Sequence, residues 1–286
     1  MSAVLSTAEI TARCGFARDA ARRLGTRALA ARRAAGASAL SVDVKGPQDF
    51  VTRVDRDTEL ALKAELAGAF PSDRFMGEEF GGGSGVGPVW VVDPIDGTSN
   101  FIRGLNHWGV SMALVDDGAV QAAVVYDAPH DALYSAIAGA GAFRNGEPIR
   151  TVATTDLAAG LAILGTSRKE PLDRYLDLLR GLHAAGAEHR RIGSAAIGLV
   201  RVAEGVADAY YEATLNSWDA LGGLLIVAEA GGETLAPPLE SFLKEPGPVL
   251  CGGPAMVALI RSLIADRAHE MAAFAPATPL TSGPSR

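Results

Sequence analysis

The stretch Trp90-Val91-Val92-Asp93-Pro94-Ile95-Asp96-Gly97-Thr98-Ser99-Asn100-Phe101 carries more information about this chain than any other. A run of apolar residues ends there in two aspartates three positions apart, and a Gly-Thr pair follows them. Carboxylates clustered at the end of a buried strand are the hard oxygen ligands that Mg²⁺ prefers. A Gly-Thr pair can begin a helix, whose free N–H groups bind anions. A cation site beside an anion site predicts phosphate chemistry.

Composition limits the class of protein and its partners. The 286 residues are 48% apolar and 21% charged, as in ordinary soluble globular enzymes. The formal net charge of -7 argues against nucleic acid or an acidic membrane as a partner, and no apolar run reaches the ~18 residues of a membrane span. The two cysteines, Cys14 and Cys251, cannot form a disulfide framework and indicate a reducing, cytoplasmic location.

Hydrophobic periodicity divides the chain into elements. A long first helix is followed by a β pair at Ala39–Val44 and Phe50–Val54, then by a helix that Asp55 or Asp57 caps. An antiparallel meander between Val110 and Ala138 precedes alternating helices and strands. This order predicts an α+β fold in which sheets lie between layers of helices. We expect one catalytic domain over residues 1–268 and a disordered tail over 269–286.

Four acidic residues stand at junctions between predicted elements, namely Glu78, Asp93, Asp96 and Asp219. Each has an ordinary interpretation by itself, as a solvated loop charge, a turn residue or a first-turn helix residue. If they converge, however, such carboxylates repel one another unless cations lie between them. The combination therefore predicts a metal centre.

Three motifs give the chain a recognisable family pattern. Gly77-Glu78-Glu79, the stretch Trp90–Phe101, and Trp218-Asp219-Ala220 with Glu229-Ala230-Gly231-Gly232 resemble the inositol monophosphatase family of Mg²⁺-dependent, lithium-sensitive phosphatases. The resemblance covers roughly residues 40 to 235. It implies a layered α-β-α-β-α sandwich, usually a homodimer, that hydrolyses a small phosphorylated polyol or amino-alcohol.

The resemblance also assigns metal ligands. It implies that Glu78, Asp93 and the backbone carbonyl of Ile95 hold a first Mg²⁺, and that Asp93, Asp96 and Asp219 hold a second. A third, weaker ion near Glu78 would bring the total to two or three ions per subunit. Two such ions activate water and stabilise the leaving group.

Catalytic and substrate-binding residues follow from the same resemblance. Glu78 and Thr98 would assist the attacking water, and Asp55 would hydrogen-bond the Thr98 hydroxyl. The remaining expected substrate contacts are the N–H groups of Gly97 and Thr98 on the phosphate, the Ala195 backbone, Glu212 on the ring hydroxyls, and Lys45 on a loop near the metals. Lys45 has an alternative interpretation as a solvated turn residue.

The resemblance leaves more than one substrate open. The favoured substrate is inositol 1-phosphate, and histidinol phosphate is the main alternative because Glu212 can also bind an ammonium group. Fructose 1,6-bisphosphate and NADP are hydrolysed on the same type of scaffold. An aspartyl-phosphate phosphatase beginning at Asp55-Arg56-Asp57-Thr58 is disfavoured because Glu59 does not fit its motif. A non-catalytic binding relative is disfavoured because the full ligand set is present.

Overall fold

The computed structural model describes residues 4–35, 42–46, 49–82, 85–167 and 170–274. Its helices are α1 (Thr7–Ala35), α2 (Arg53–Ala69), α3 (Thr98–Arg103), α4 (Leu172–Ala184), α5 (Ala195–Ala203), α6 (Ser217–Glu229), α7 (Leu239–Phe242), α8 (Pro254–Leu263) and α9 (Ala268–Ala273). Its strands are β1 (Val42–Gly46), β2 (Asp49–Thr52), β3 (Arg74–Gly77), β4 (Gly81–Gly82), β5 (Val89–Asp96), β6 (Gly109–Asp116), β7 (Ala119–Asp127), β8 (Ala132–Ile137), β9 (Ala142–Arg144), β10 (Glu147–Pro148), β11 (Leu161–Leu164), β12 (Glu188–Arg190), β13 (Ala209–Leu215), β14 (Glu233–Leu235) and β15 (Gly247–Gly252).

The strands form two main sheets and a separate hairpin. Eight strands make the larger sheet in the order β10-β9-β8-β7-β6-β5-β3-β4, and five make the smaller sheet in the order β12-β11-β13-β15-β14. The β1–β2 pair is antiparallel and stands apart from both. The predicted meander is confirmed, because β6, β7 and β8 are antiparallel neighbours.

Helices cover and separate the sheets. α1 and α2 pack on one face of the larger sheet, and α5 and α6 lie between the two sheets. α4, α8 and α9 cover the outer face of the smaller sheet. The predicted α-β-α-β-α sandwich is therefore confirmed.

The sequence periodicity of α1 explains how it docks. The small and apolar residues that recur every three or four positions are all buried against the larger sheet, namely Ile10, Cys14, Ala17, Ala21, Leu24 and Ala28. Both cysteines, Cys14 and Cys251, are buried and free. Within the described residues, none of the helices combines the length and the apolarity that crossing a membrane requires.

Two boundary predictions are wrong. Neither Asp55 nor Asp57 caps α2. The cap is Thr52, whose hydroxyl accepts the N–H groups of Val54 and Asp55, while the Asp55 carboxylate accepts the backbone N–H of Thr52. The predicted disorder from His269 is also wrong as far as residue 274, because α9 is helical and Glu270 is buried against the Tyr211 hydroxyl. Residues 275–286 of the predicted tail, and residues 39–41 of the predicted first strand, lie outside the described residues.

Candidate metal and substrate site

A disruption in β5 brings Asp93 and Asp96 to one place. Residues three apart in a regular strand point to opposite faces. Here the pairing of β5 with β6 shifts register between Asp93 and Asp96. Pro94 lies inside this irregular segment and has no N–H for a ladder hydrogen bond. The irregularity lets both carboxylates, 2% and 6% exposed, approach the same site.

The third carboxylate comes from the helix layer between the sheets. Asp219 lies in the first turn of α6, where its Oδ2 accepts the backbone N–H of Asn216 and the Asn216 side-chain amide, each at 3.1 Å. One ligand atom from each of Asp93, Asp96 and Asp219 lies within 4.8 Å of the others. We call these three residues the acidic triad.

The raised pKa values of the three aspartates show that the ionised form of the triad is unfavourable without a cation. Loss of solvation raises the pKa of Asp93 well above its usual range, and the charges of Glu78, Asp96 and Asp219 raise it further. Loss of solvation also raises the pKa of Asp96 to about 7, with a contribution from Asp219, and that of Asp219 to about 6. Buried like charges disfavour ionisation in this way.

No protein cation relieves this repulsion among the residues that the structure describes. Neither lysine nor arginine forms an ion pair with Asp93, Asp96 or Asp219 there. Buried charges are normally paired with an opposite charge or coordinate a metal. Clustered carboxylate oxygens are suited to a hard divalent ion such as Mg²⁺. The donor set of the triad therefore fits the predicted metal.

Asp96 also joins the triad to the start of α5. Its carboxylate accepts the Ser194 hydroxyl and the N–H groups of Ala195 and Ala196, at 3.3 and 2.9 Å for the two amides. A negative charge is stabilised at this positive end of a helix. Ala195 lines the cavity, as predicted, but its backbone N–H is already bonded to Asp96.

Glu78 lines the same cavity but is not part of the triad. It lies in the turn between β3 and β4. Among the neighbouring charges, that of Glu78 raises the pKa of Asp93 most. The cluster of mutually close ligand atoms contains the three aspartates without Glu78. The four predicted acidic ligands therefore share one cavity, in which Glu78 stands at the edge of the triad.

The start of α3 carries Thr98, which we predicted to hydrogen-bond Asp55. Thr98 Oγ1 lies 3.2 Å from Asp55 Oδ1 and 3.0 Å from the Ile95 carbonyl oxygen, both acceptors for its hydrogen. The predicted Asp55–Thr98 hydrogen bond is therefore present. Burial raises the pKa of the Asp55 carboxyl to about 6, against its hydrogen bonds from Thr52. Gly97 precedes the helix with a φ of 89°, a conformation that favours glycine.

A cavity of about 230 Å³ joins the acidic residues to Glu212 of β13. The Tyr210 hydroxyl donates to Glu212 Oε2 at 2.5 Å. Loss of solvation raises the pKa of Glu212 to about 8, and the charges of Asp219 and Asp96 add to the increase. A Cβ atom on Gly165 would lie 1.9 Å from Glu212 Oε2, so only glycine leaves space for this carboxylate.

Sequence reasoning missed several residues of the cavity wall. Gly165, Thr166 and Arg191 line it, and Tyr210 is both buried and part of the wall. None of them belongs to a motif, and the repeat of arginines at Arg190-Arg191 reads as an ordinary exposed pair. Lys45 lies in β1, and its side chain is outside the described part of the structure. Its predicted place near the metals stays a prediction.

Comparison with known proteins adds independent information. A model of the inositol monophosphatase family matches residues 13–271. The inositol-1-monophosphatase of Rhizobium meliloti (strain 1021) is 36% identical over 229 residues, 79% of this chain and 86% of that protein. The Nus factor SuhB of Pseudomonas aeruginosa is 40% identical over 203 residues, 68% of this chain and 74% of the relative.

A solved structure agrees with these matches. The extragenic suppressor protein suhB from Bartonella henselae superposes with a TM-score of 0.79 at 32% identity, covering 86% of this chain and 95% of that one. The span of the family match includes both sheets, the helices between them and the acidic triad.

Proposed function

Because this chain belongs to the inositol monophosphatase family, we propose that it is a Mg²⁺-dependent phosphomonoesterase acting on a small polyol phosphate. The observation that carries the proposal is the acidic triad, three inward-facing carboxylates whose ligand atoms lie within 4.8 Å of one another. Such a cluster is stable in its ionised form only with cations bound. A phosphate monoester brings further negative charge, which bound cations also neutralise.

The residues that would hold Mg²⁺ are Asp93, Asp96, Asp219, Glu78 and the Ile95 carbonyl. When bound, the ions supply Lewis acidity for the attack of water on phosphorus and for the departure of the alcohol. The number of ions, two to three in our prediction, is part of the proposal.

The protein's own groups orient the water and the phosphate. Thr98 Oγ1 directs its hydrogen toward Asp55 Oδ1 and the Ile95 carbonyl oxygen, so a lone pair of the hydroxyl oxygen is available to accept a hydrogen bond from water. We assign to Glu78, at the edge of the triad, the acceptance of the proton that the water loses. The N–H groups of Gly97 and Thr98 stand at the start of α3, where phosphate oxygens are expected.

Glu212 is the proposed reader of the leaving group. One of its oxygens accepts the Tyr210 hydroxyl, and the other remains for the substrate. A carboxylate oxygen in this place suits a ring hydroxyl, and inositol 1-phosphate is our first choice because the Rhizobium relative is an inositol-1-monophosphatase. Histidinol phosphate remains the alternative, since an ammonium group fits the same oxygen. The name Nus factor SuhB, carried by the Pseudomonas relative, does not describe an enzyme and leaves the exact activity open.

A phosphate-release panel tests the proposal. Purified protein is given inositol 1-phosphate, histidinol phosphate, fructose 1,6-bisphosphate and NADP, each with Mg²⁺, with EDTA and with Mg²⁺ plus LiCl. We expect release from inositol 1-phosphate that EDTA abolishes and lithium inhibits. Glu212→Gln should change the order of substrates more than the rate on the best one. Release that survives exhaustive EDTA treatment would contradict the metal-dependent mechanism.

Partners and location remain predictions as well. Gel filtration tests the homodimer, and a monomer mass would remove it. Titration with RNA and DNA, read by a gel-shift assay, tests our expectation that nucleic acid does not bind.

A further inference from the structure

Glu78 lies in a short turn whose backbone is hydrogen-bonded by a side chain of α2. β3 and β4 pair antiparallel, with Gly77 opposite Gly81, so residues 78–80 form a three-residue connection. The N–H groups of Glu79 and Phe80 both donate to the carboxylate of Glu59, at 2.8 and 3.0 Å. A single side chain thus satisfies two successive backbone donors immediately after Glu78.

Glu59 is built into this place. It lies in α2 and is 0% exposed. A Cβ atom on Gly77 would lie 2.1 Å from Glu59 Oε1, so the carboxylate rests directly against the glycine that precedes Glu78. A buried carboxylate is costly unless hydrogen bonds satisfy it, and here the turn supplies them. The contact is therefore reciprocal: the turn stabilises Glu59, and Glu59 fixes the turn.

One face of α2 carries the two side chains that support Thr98 and the Glu78 turn. Asp55 and Glu59 are four residues apart in α2 and so lie on the same side of the helix. Asp55 bonds the Thr98 hydroxyl at the start of α3, while Glu59 bonds the turn that carries Glu78. The two groups that we assign to the attacking water are therefore aligned by one rigid element.

We propose that Glu59 is a positioning residue, which holds the Glu78 turn so that the Glu78 carboxylate faces Asp93 before a divalent ion binds. This inference rests on the proposed function, since it concerns the ion shared by Glu78 and Asp93. Partners outside the direct ligand set typically contribute 10–100-fold to metal affinity. Glu59 acts through the backbone of the turn and makes no contact with substrate in this assignment.

The test replaces one oxygen of the support. In Glu59→Gln the amide NH₂ faces one of the two backbone N–H donors, so one hydrogen bond is lost and two donors meet. Mg²⁺ binding is measured by calorimetry without substrate, with Tb³⁺ luminescence as a second probe. We expect the affinity for the ion at Glu78 to fall by about 10–100-fold. The Mg²⁺ concentration for half-maximal activity should rise equally, while kcat at saturating Mg²⁺ largely returns.

Two further variants separate positioning from folding. Glu270→Gln is the matched control, because Glu270 is another buried carboxylate, 4% exposed, bonded to Tyr211 under the far layer of helices. It should lower the melting temperature without changing Mg²⁺ affinity. In Gly77→Ala the added methyl group displaces the Glu59 carboxylate from the Glu78 turn. This variant should show the same loss of Mg²⁺ affinity. The double variant Glu59→Gln/Gly77→Ala should lose little more than either change, since both break one contact.

The outcomes are distinguishable. If Glu59→Gln lowers thermal stability as Glu270→Gln does and leaves Mg²⁺ affinity within twofold, the inference is wrong and Glu59 only supports the fold. If Glu59→Gln does not fold, normal Mg²⁺ affinity in Gly77→Ala overturns the inference in its place. If the unmodified protein binds neither Mg²⁺ nor Tb³⁺, the proposed function fails first.

Discussion

At the scale of single residues, Asp93 and Asp96 show how a strand can place two ligands in one site. Their odd spacing would separate them in a regular strand, and the register shift at this point in β5 removes that separation. Ile95 contributes to the same local shape, because its N–H donates to Asp93 Oδ1 at 2.9 Å. The carboxylates are thus oriented by the backbone before any ion arrives, and their mutual repulsion is part of the folded metal-free protein.

Asp93→Asn should separate activity from stability. The amide retains the oxygen that accepts the Ile95 N–H, but it removes one of three converging charges. We expect phosphate release to fall by more than about 100-fold, beyond what the loss of a partner outside the ligand set costs. The melting temperature of the metal-free variant should equal or exceed that of the unmodified protein, and Mg²⁺ should no longer raise it. Near-normal turnover of Asp93→Asn would show that the metal assignment is wrong.

Stability of the metal-free protein should fall as the pH rises. The folded-state pKa values of Asp96 and Asp219, about 7 and about 6, lie above the ordinary value of 3.8, so the folded state binds more protons. Their contribution is complete below about pH 4 and is lost as the pH rises through 7. In the proposed function Mg²⁺ would bind the deprotonated groups, and its stabilising effect should therefore grow from pH 5 to pH 8. Thermal unfolding with Mg²⁺ and with EDTA at several pH values measures this; an equal Mg²⁺ effect at both ends contradicts it.

The acidic ligands were predictable because each stands at a junction marked by glycine, proline or a change of periodicity. Glu212 and Asp55 were identified through the family pattern. Gly165 and Arg191 were not, because a cavity wall is formed by residues that lie far apart in the chain and share no spacing. The role of Glu59 was also hidden: in the sequence it argued only against a rival motif, and its burial under the Glu78 turn depends on tertiary packing.

At the scale of elements, α2 is the helix on which the site depends most. Its cap was mispredicted because Asp55 is a strong capping residue type, whereas the actual motif is a capping box with Thr52 at the cap and Asp55 three positions later. The same Asp55 carboxylate therefore closes the helix end and, with its other oxygen, reaches Thr98. The start of α2 and Thr98, to which we assign a catalytic role, are therefore held by the same Asp55 side chain.

Thr52→Ala should consequently affect both stability and activity. Loss of a threonine cap costs about 1 kcal/mol. Here the Asp55 carboxylate also loses the Thr52 hydroxyl, one of the groups that hold it toward Thr98. We expect a lower free energy of unfolding, measured in urea, together with a reduced kcat at saturating Mg²⁺. Thr52→Ser keeps the hydroxyl and is the control; if it loses as much as Thr52→Ala, the cap is not the cause.

At the scale of the whole molecule, the layer of α5 and α6 between the sheets sets how closely the two sheets approach. This layer is packed so tightly that several positions admit only glycine. A Cβ atom on Gly222 would lie 2.7 Å from Ser111 Oγ of the larger sheet, and one on Gly223 would lie 2.4 Å from Leu199 Cβ of α5. The order of elements predicted sheets between layers of helices, and the family resemblance supplied the α-β-α-β-α order. This tight packing was not predictable, because periodicity does not report distances between layers.

Gly223→Ala should therefore destabilise the fold although alanine favours helices. Overpacking a tight core costs typically about 1–3 kcal/mol. Gly15→Ala in α1 is the control, because a Cβ atom on Gly15 would have no neighbouring atom within 4 Å, and this variant should be neutral or stabilising. Urea unfolding of both variants measures the difference. Equal stability of the two variants would show that α5 and α6 can separate without cost.

The placement of the triad also has a consequence for the newly made chain. Asp93 and Asp96 leave the ribosome long before Asp219, which belongs to a helix that packs between both sheets. An incomplete chain therefore offers a divalent ion only a partial set of ligands, and full affinity arises when synthesis and docking are finished. A ligand that binds only the native form stabilises it by mass action. Cellular magnesium would therefore stabilise completed, folded molecules and not incomplete chains.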